Sequence, residues 1–152
     1  LNQKKRHTRP HGDIFSQCIS LCCVGMSTVM MRREFFEIAG WFDESLPCCE
    51  DYDLWVRASG QIEFFKVDQP LTYKQGGRED QVSEQHRMGM DQFRITSLEK
   101  CLHLHVFSME QRILLAQELV RKSTIYGNGC LKHNRVEEGR KILNRAERWK
   151  TF

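Results

Sequence analysis

A helical repeat in the second half of the chain constrains the fold more than any other feature of the sequence. Apolar and small residues recur there every three or four positions, which is the spacing of one face of an α-helix. The repeating positions in the first of these helices are Met90, Phe93, Ser97, Cys101 and Leu104. Ser108 and Gln111 then have the spacing of a capping box, which predicts that a new helix starts just after Ser108.

The end of the chain predicts a helical hairpin. The glycines of "YGNGC", residues 126–130, indicate a turn, and the segment after it carries one stripe of apolar and small residues. The stripe consists of Gly139, Ile142, Leu143, Ala146 and Trp149. We therefore expect residues 98–152 to fold as antiparallel helices packed along this stripe.

The first half of the chain predicts shorter elements. An apolar run within residues 12–28 indicates a short helix that leads into a buried strand. An amphipathic helix is expected over about residues 32–39, because Gly40 is a typical cap at a helix C-terminus. Two short strands are expected at residues 62–67 and 71–74, separated by the turn that Pro70 favours.

A further helix is predicted to begin near Cys49 or Glu50 and to end at about Ser59, before Gly60. Its apolar residues include Trp55, which we expect in the core rather than as a platform for a sugar ring.

Composition narrows the class of protein. The chain has 152 residues, a formal charge of +3 and 40% hydrophobic residues, which is ordinary for one globular domain. It contains neither an apolar run long enough to span a membrane nor the pattern of a signal peptide, so we expect a cytoplasmic location. Lys4, Lys5, Arg6 and Arg9 make residues 1–11 a flexible basic segment; without interleaved aromatic residues, they do not favour nucleic-acid binding.

The seven cysteines favour reduced thiols. They include the adjacent pairs Cys22-Cys23 and Cys48-Cys49, and none has the CxxC spacing of a zinc ribbon or a redox motif. An odd number of cysteines without such spacing predicts neither a disulfide framework nor a zinc site.

The segment "SLPCCEDYDLWVRAS", residues 45–59, concentrates acids at a predicted helix start. Backbone N–H groups at a helix N-terminus stabilise negative charge, so acids there are often only structural. The same effect keeps a carboxylate ionised, as a general base must be before it can accept a proton. Asp51 and Asp53 mimic a DxD metal motif. On a helix, however, residues two apart point about 200° from each other, which disfavours one shared cation.

These acids lie in a segment that resembles the family-2 glycosyltransferases. The stretch "RREFFEIAGWFDESLPCCEDYDLWVRAS" is similar, without a gap, to a segment of those enzymes, and a weaker similarity covers residues 12–83. The matching positions are Arg33, Phe36, Gly40, Phe42, Asp43, Glu44, Leu46, Glu50, Asp51, Asp53, Leu54, Trp55 and Arg57.

The resemblance implies a fold and a reaction. It implies an α/β chain, predominantly helical in the part present here, that forms the carboxyl-terminal, acceptor-side part of a GT-A nucleotide-diphospho-sugar transferase followed by a helical hairpin. It places the catalytic base on Asp51. The implied reaction is an inverting displacement, in which a hydroxyl of the acceptor attacks the anomeric carbon of a nucleotide-activated sugar.

The resemblance also implies substrate-binding residues. Glu50 would lie beside the acceptor. Gly25, Met26 and Ser27 would leave room in the pocket, although a tight turn explains the glycine equally well. Arg78, in the loop after Gly76 and Gly77, would contact phosphate oxygens, with an exposed surface arginine as the alternative.

The resemblance further implies that a nucleotide-binding half is missing. We expect residues 12–84 to form the acceptor-side half of the transferase domain and residues 85–152 a helical extension. The complete enzyme would use Mg²⁺ or Mn²⁺, whose ligands are not in this chain, and the chain alone would be inactive. The alternative function is a protein-interaction module built on the carboxyl-terminal helices, and an exposed sheet edge would favour homo-oligomers.

Overall fold

The computed structural model describes residues 9–73, residue 85 and residues 89–152. Within these ranges the regular secondary structure is helical, and no β-strand occurs. The elements are α1 (Phe15–Ser20), a 3₁₀ turn (Met26–Thr28), α2 (Phe35–Ala39), α3 (Glu50–Ser59), α4 (Met90–Leu102), α5 (Met109–Lys132) and α6 (Val136–Glu147). The predicted α/β fold class, and with it the GT-A sheet, is therefore wrong for the described part of the chain.

The strands predicted at residues 62–67 and 71–74 are not present in the described residues. Their place is taken by extended chain with one isolated antiparallel bridge, in which Gly12 and Phe64 exchange backbone hydrogen bonds of 2.6 and 2.9 Å. A strand exists only where a neighbouring backbone pairs with it, and Gly12 is the single partner found among the described residues. Lys74 lies outside the described residues. Several apolar side chains of this segment remain exposed, namely Phe65, Val67, Leu71 and Tyr73.

The buried strand expected within residues 12–28 is also absent. This segment forms α1, which buries Phe15, Cys18 and Ile19, and then an irregular loop that leads to the 3₁₀ turn. The predicted helix over residues 32–39 is confirmed only as the shorter α2. Gly40 ends α2 with a φ of +73°, a conformation that favours glycine.

Helix α3 lies at the centre of the described chain. It begins at Glu50 and ends at Ser59, as predicted, and every residue from Tyr52 to Ser59 is buried. One side of α3 packs Tyr52 and Val56 against apolar side chains of α4 and α5. The other side packs Leu54, Trp55 and Ala58 against α1 and α2. Trp55 is fully buried, so its predicted place in the core is confirmed.

Helices α5 and α6 form the predicted hairpin. The capping box is confirmed, because the N–H of Gln111 donates to the Ser108 hydroxyl at 3.2 Å and the N–H of Ser108 donates to the Gln111 side chain at 2.9 Å. The turn predicted at residues 126–130 is wrong. Helix α5 continues to Lys132, and the chain reverses at residues 133–135, where Asn134 has a φ of +59°. No described helix combines the length and apolar character needed to cross a bilayer.

Two glycines let the hairpin helices approach closely. A Cβ atom on Gly139 would lie 2.8 Å from the carbonyl oxygen of Gly127, and a Cβ on Gly127 would lie 2.7 Å from the Leu143 side chain. These contacts explain why Gly127 of the "YGNGC" segment lies inside a helix. Its role is to allow packing rather than to form a turn.

Replacement of Gly139 tests this packing. We expect Gly139→Ala to lower the free energy of unfolding by about 1 to 3 kcal/mol, because a methyl group there overlaps a backbone oxygen that has little room to move. Gly129→Ala is the matched control, since no atom lies within 4 Å of the added Cβ. Because alanine favours a helix more than glycine does, this change should raise stability by about 0.5 to 1 kcal/mol. Urea denaturation measures both, and equal stability of the two variants would contradict the packing.

Candidate functional site

The first turn of α3 places Glu50 and Asp51 at the protein surface. The preceding residue, Cys49, has a φ of +64°, and no side chain caps the helix. Both carboxylates are partly exposed, and no described lysine or arginine pairs with either of them. The unpaired backbone N–H groups of the first turn stabilise negative charge at this position. The predicted start of the helix at these acids is confirmed.

Asp53 has a different environment. Its side chain is fully buried, and Oδ2 lies 2.8 Å from Nη2 of Arg57 and accepts a hydrogen bond of 2.9 Å from Nε. The Nζ of Lys100, on α4, lies 2.5 Å from the other carboxylate oxygen. Two cations therefore neutralise one buried acid.

Arg57 and Lys100 extend this contact to other segments. Arg57 donates to the backbone carbonyls of Ala39 and Trp41, the latter at 2.8 Å, and so ties the end of α2 to α3. Lys100 also binds Asp43 at 2.8 Å. The Lys100 ammonium and then the Ser45 hydroxyl lower the pKa of Asp43 to about 2. We call these four residues, Asp43, Asp53, Arg57 and Lys100, the charge cluster.

Asp51 contacts a cysteine rather than a cation. The Cys22 thiol donates to Oδ2 of Asp51 at 3.3 Å, and the N–H of Tyr52 donates to Oδ1 at 2.7 Å. Burial and then the negative charge of Asp51 hold the pKa of Cys22 well above its ordinary value. Cys22 therefore remains a neutral thiol, and it orients the carboxylate without removing its charge.

Arg94 contributes a positive charge near the thiols of Cys22 and Cys49. It lies on α4, where Asp91 holds it at 3.0 Å and its guanidinium lies over the ring of Tyr52. Its charge opposes the upward shift in the pKa of Cys22 and of Cys49. Neither Cys22 nor Arg94 was expected at the site. Both are far from Asp51 in the sequence, and no motif or spacing connects them to it.

The predicted site residues before α3 form a separate turn. Gly25, Met26 and Ser27 form the 3₁₀ turn and its cap, with the Gly25 carbonyl accepting from the hydroxyl of Thr28 at 2.9 Å. No hydrogen bond joins this turn to Asp51 among the described residues. Gly25 has a φ of −90°, which does not require glycine, so neither interpretation of Gly25 is decided. Arg78 lies outside the described residues, as do Gly76 and Gly77.

The donor groups around α3 do not fit a divalent cation. Asp51 and Asp53 lie on different sides of the helix, and Asp53 is already paired with two cations. Within residues 9–73, 85 and 89–152, no group of three or more His, Cys, Asp or Glu side chains is arranged to hold a metal ion. We therefore derive no step through a metal.

No family model, curated protein or solved structure matches this chain. The assignment of a function therefore depends on the motif around α3 and on the geometry of its residues.

The charge cluster predicts a strong effect of Asp53 on stability. We expect Asp53→Asn to lower the free energy of unfolding by about 3 to 5 kcal/mol, because Arg57 and Lys100 lose their buried counter-ion. Glu147→Gln is the matched control, since Glu147 forms an exposed ion pair with Lys150 and should change stability by less than about 1 kcal/mol. Thermal and urea unfolding measure both variants. Equal stabilities would show that the cluster does not stabilise the fold.

Proposed function

We propose that this chain is the acceptor-side part of an inverting glycosyltransferase in which Asp51 is the general base. The observation that carries the proposal is the contrast between two acids of one helix. Asp51 is partly exposed and has no described cationic partner, whereas Asp53 is buried between Arg57 and Lys100. Asp53 is thus enclosed by its ion pairs, whereas Asp51 is partly exposed and accepts only from a thiol and a backbone N–H.

The surroundings of Asp51 suit proton transfer. A base needs an ionised carboxylate whose oxygens are accessible to the hydroxyl that loses its proton. A thiol is a weak hydrogen-bond donor, so Cys22 competes little with an incoming hydroxyl. Because Asp53 anchors the helix through the charge cluster, Asp51 is held on a rigid element, as positioning of a catalytic group requires.

The proposed step is a single displacement. Asp51 accepts the proton of the acceptor hydroxyl while the hydroxyl oxygen forms a bond to the anomeric carbon of the sugar. The bond between that carbon and the diphosphate breaks at the opposite face, and its electron pair leaves with the nucleoside diphosphate. The configuration at the anomeric carbon is therefore inverted.

We propose that a companion segment supplies the donor site. The exposed apolar side chains of residues 65–73 support this part of the proposal, because large apolar groups clustered on a surface are usually covered by another chain segment or partner. On this account the 152-residue chain does not transfer sugar by itself.

The alternative of an interaction module has its support on α5. That helix exposes several large apolar side chains, namely Met109, Ile113, Leu114 and Ile125. This surface does not include Asp51. Substitution of Asp51 therefore distinguishes the two functions, since a docking role for α5 requires no carboxylate on α3.

The test is sugar transfer by the longer protein in which we propose that this chain is embedded. Nucleoside diphosphate release is measured with a panel of nucleotide sugars and hydroxyl acceptors. We expect Asp51→Asn to lower turnover by about 10²- to 10⁴-fold, because the amide has nearly the same shape but cannot accept the proton. Binding of the nucleotide sugar and the unfolding temperature should stay close to those of the unaltered protein.

Glu44→Gln serves as the control, because Glu44 is an exposed acid of the same motif and should not affect turnover. Near-normal turnover of Asp51→Asn would remove Asp51 from the mechanism. The absence of nucleoside diphosphate release from the unaltered protein with every sugar tested would argue against a glycosyltransferase.

A further inference from the structure

Two cysteine thiols outside the α3 site lie close together. Cys18 is on α1 and Cys23 is in the loop that follows, and their Sγ atoms are 3.3 Å apart. Both residues are buried, with 1% and 9% of their surface exposed. The sulfur atoms are in hydrogen-bond contact but not bonded, since a disulfide is about 2.05 Å long. We call Cys18 and Cys23 the thiol pair.

The two thiols of the pair have opposite electrostatic environments. The hydrogen bond from Cys18, a backbone N–H and the positive charge of Arg9 lower the pKa of Cys23 to about 7, although burial opposes the shift. The same hydrogen bond and burial raise the pKa of Cys18. Both shifts favour Cys23 as the more acidic thiol of the pair. The adjacent Cys22 is neutral and bound to Asp51.

A surface cavity borders one member of the pair. It has a volume of about 420 Å³ and is lined in part by Cys23, while Cys18 is not among its lining residues. The lining consists of Pro10, Ser16, Gln17, Ser20, Leu21 and Cys23. Cys23 is therefore the member of the pair that lies next to this cavity. A peroxide-reactive pair needs an attacking thiolate and a second thiol that resolves the product, and this position favours Cys23 for the first role.

We propose that Cys18 and Cys23 form a reversible modification site for hydroperoxides, with Cys23 as the attacking residue and Cys18 as the resolving residue. The proposal is independent of the glycosyltransferase assignment, because it uses neither Asp51 nor a sugar substrate.

The reaction has two steps. The Cys23 thiolate attacks one oxygen of hydrogen peroxide, the O–O bond breaks, and Cys23 becomes a sulfenic acid while hydroxide leaves and takes up a proton. Cys18 then loses its proton and attacks the Cys23 sulfur, which releases the second oxygen as water. The two thiols together lose two electrons, the peroxide gains them, and the products are one disulfide and two water molecules.

The experiment treats the reduced 152-residue chain with stoichiometric hydrogen peroxide, removes the excess with catalase and measures free thiols and intact mass. We expect the loss of two thiols and two hydrogen atoms per chain, a cross-link between Cys18 and Cys23 in fragment spectra, and full reversal by dithiothreitol. Cys22→Ser is the matched control and should form the same cross-link. Cys23→Ser should form none.

Cys18→Ala separates the two steps. Without the resolving thiol, we expect Cys23 sulfenic acid to persist and to be trapped by dimedone. Circular dichroism of each reduced variant reports whether it folds. If a variant does not fold, the presence or absence of the cross-link between Cys18 and Cys23 in the unaltered chain tests the proposal. A disulfide between Cys22 and Cys23, a dimedone adduct on Cys23 of the unaltered chain without a cross-link, or no loss of thiols would each overturn the proposal.

Discussion

The arrangement of the described structure depends on one buried carboxylate, Asp53. A charge that is removed from water is tolerated only when it is paired, and Asp53 is paired with Arg57 of its own helix and with Lys100 of α4. Arg57 reaches the backbone at the end of α2, and Lys100 reaches Asp43 in the next loop. The charge cluster thus fixes where α2, α3 and α4 meet.

This arrangement also changes how the glycosyltransferase-like motif is understood. Three of its polar residues, Asp43, Asp53 and Arg57, belong to the charge cluster and stabilise the fold. Glu50 and Asp51 remain at the surface, where Asp51 is oriented by a neutral thiol. The motif therefore combines residues that hold a helix with residues that the helix presents. A single motif can contain both because neighbouring positions on a helix face different directions.

Local signals in the sequence were sufficient for the bounds of α3 and the start of α5, but not for features that depend on distant residues. The bounds of α3 and the capping box of α5 follow from residues that lie within a few positions of each other. The prediction of strands was wrong because strand pairing depends on a distant backbone, and the described residues offer a single bridge at Gly12. The prediction of a turn at residues 126–130 was wrong because close packing against α6 requires glycine at position 127. This packing outweighs the low helix propensity of glycine. The contact of Cys22 with Asp51 joins residues 29 positions apart, and no local pattern predicts it.

If the charge cluster anchors α3, this helix should open only when the whole chain unfolds. Native-state hydrogen exchange of the backbone amides of Leu54, Trp55 and Val56 measures this. We expect these amides to exchange only through global unfolding, so that their opening free energy equals the free energy of unfolding measured with denaturant. Exchange of these amides through local opening, at rates like those of the short helix α2, would contradict it.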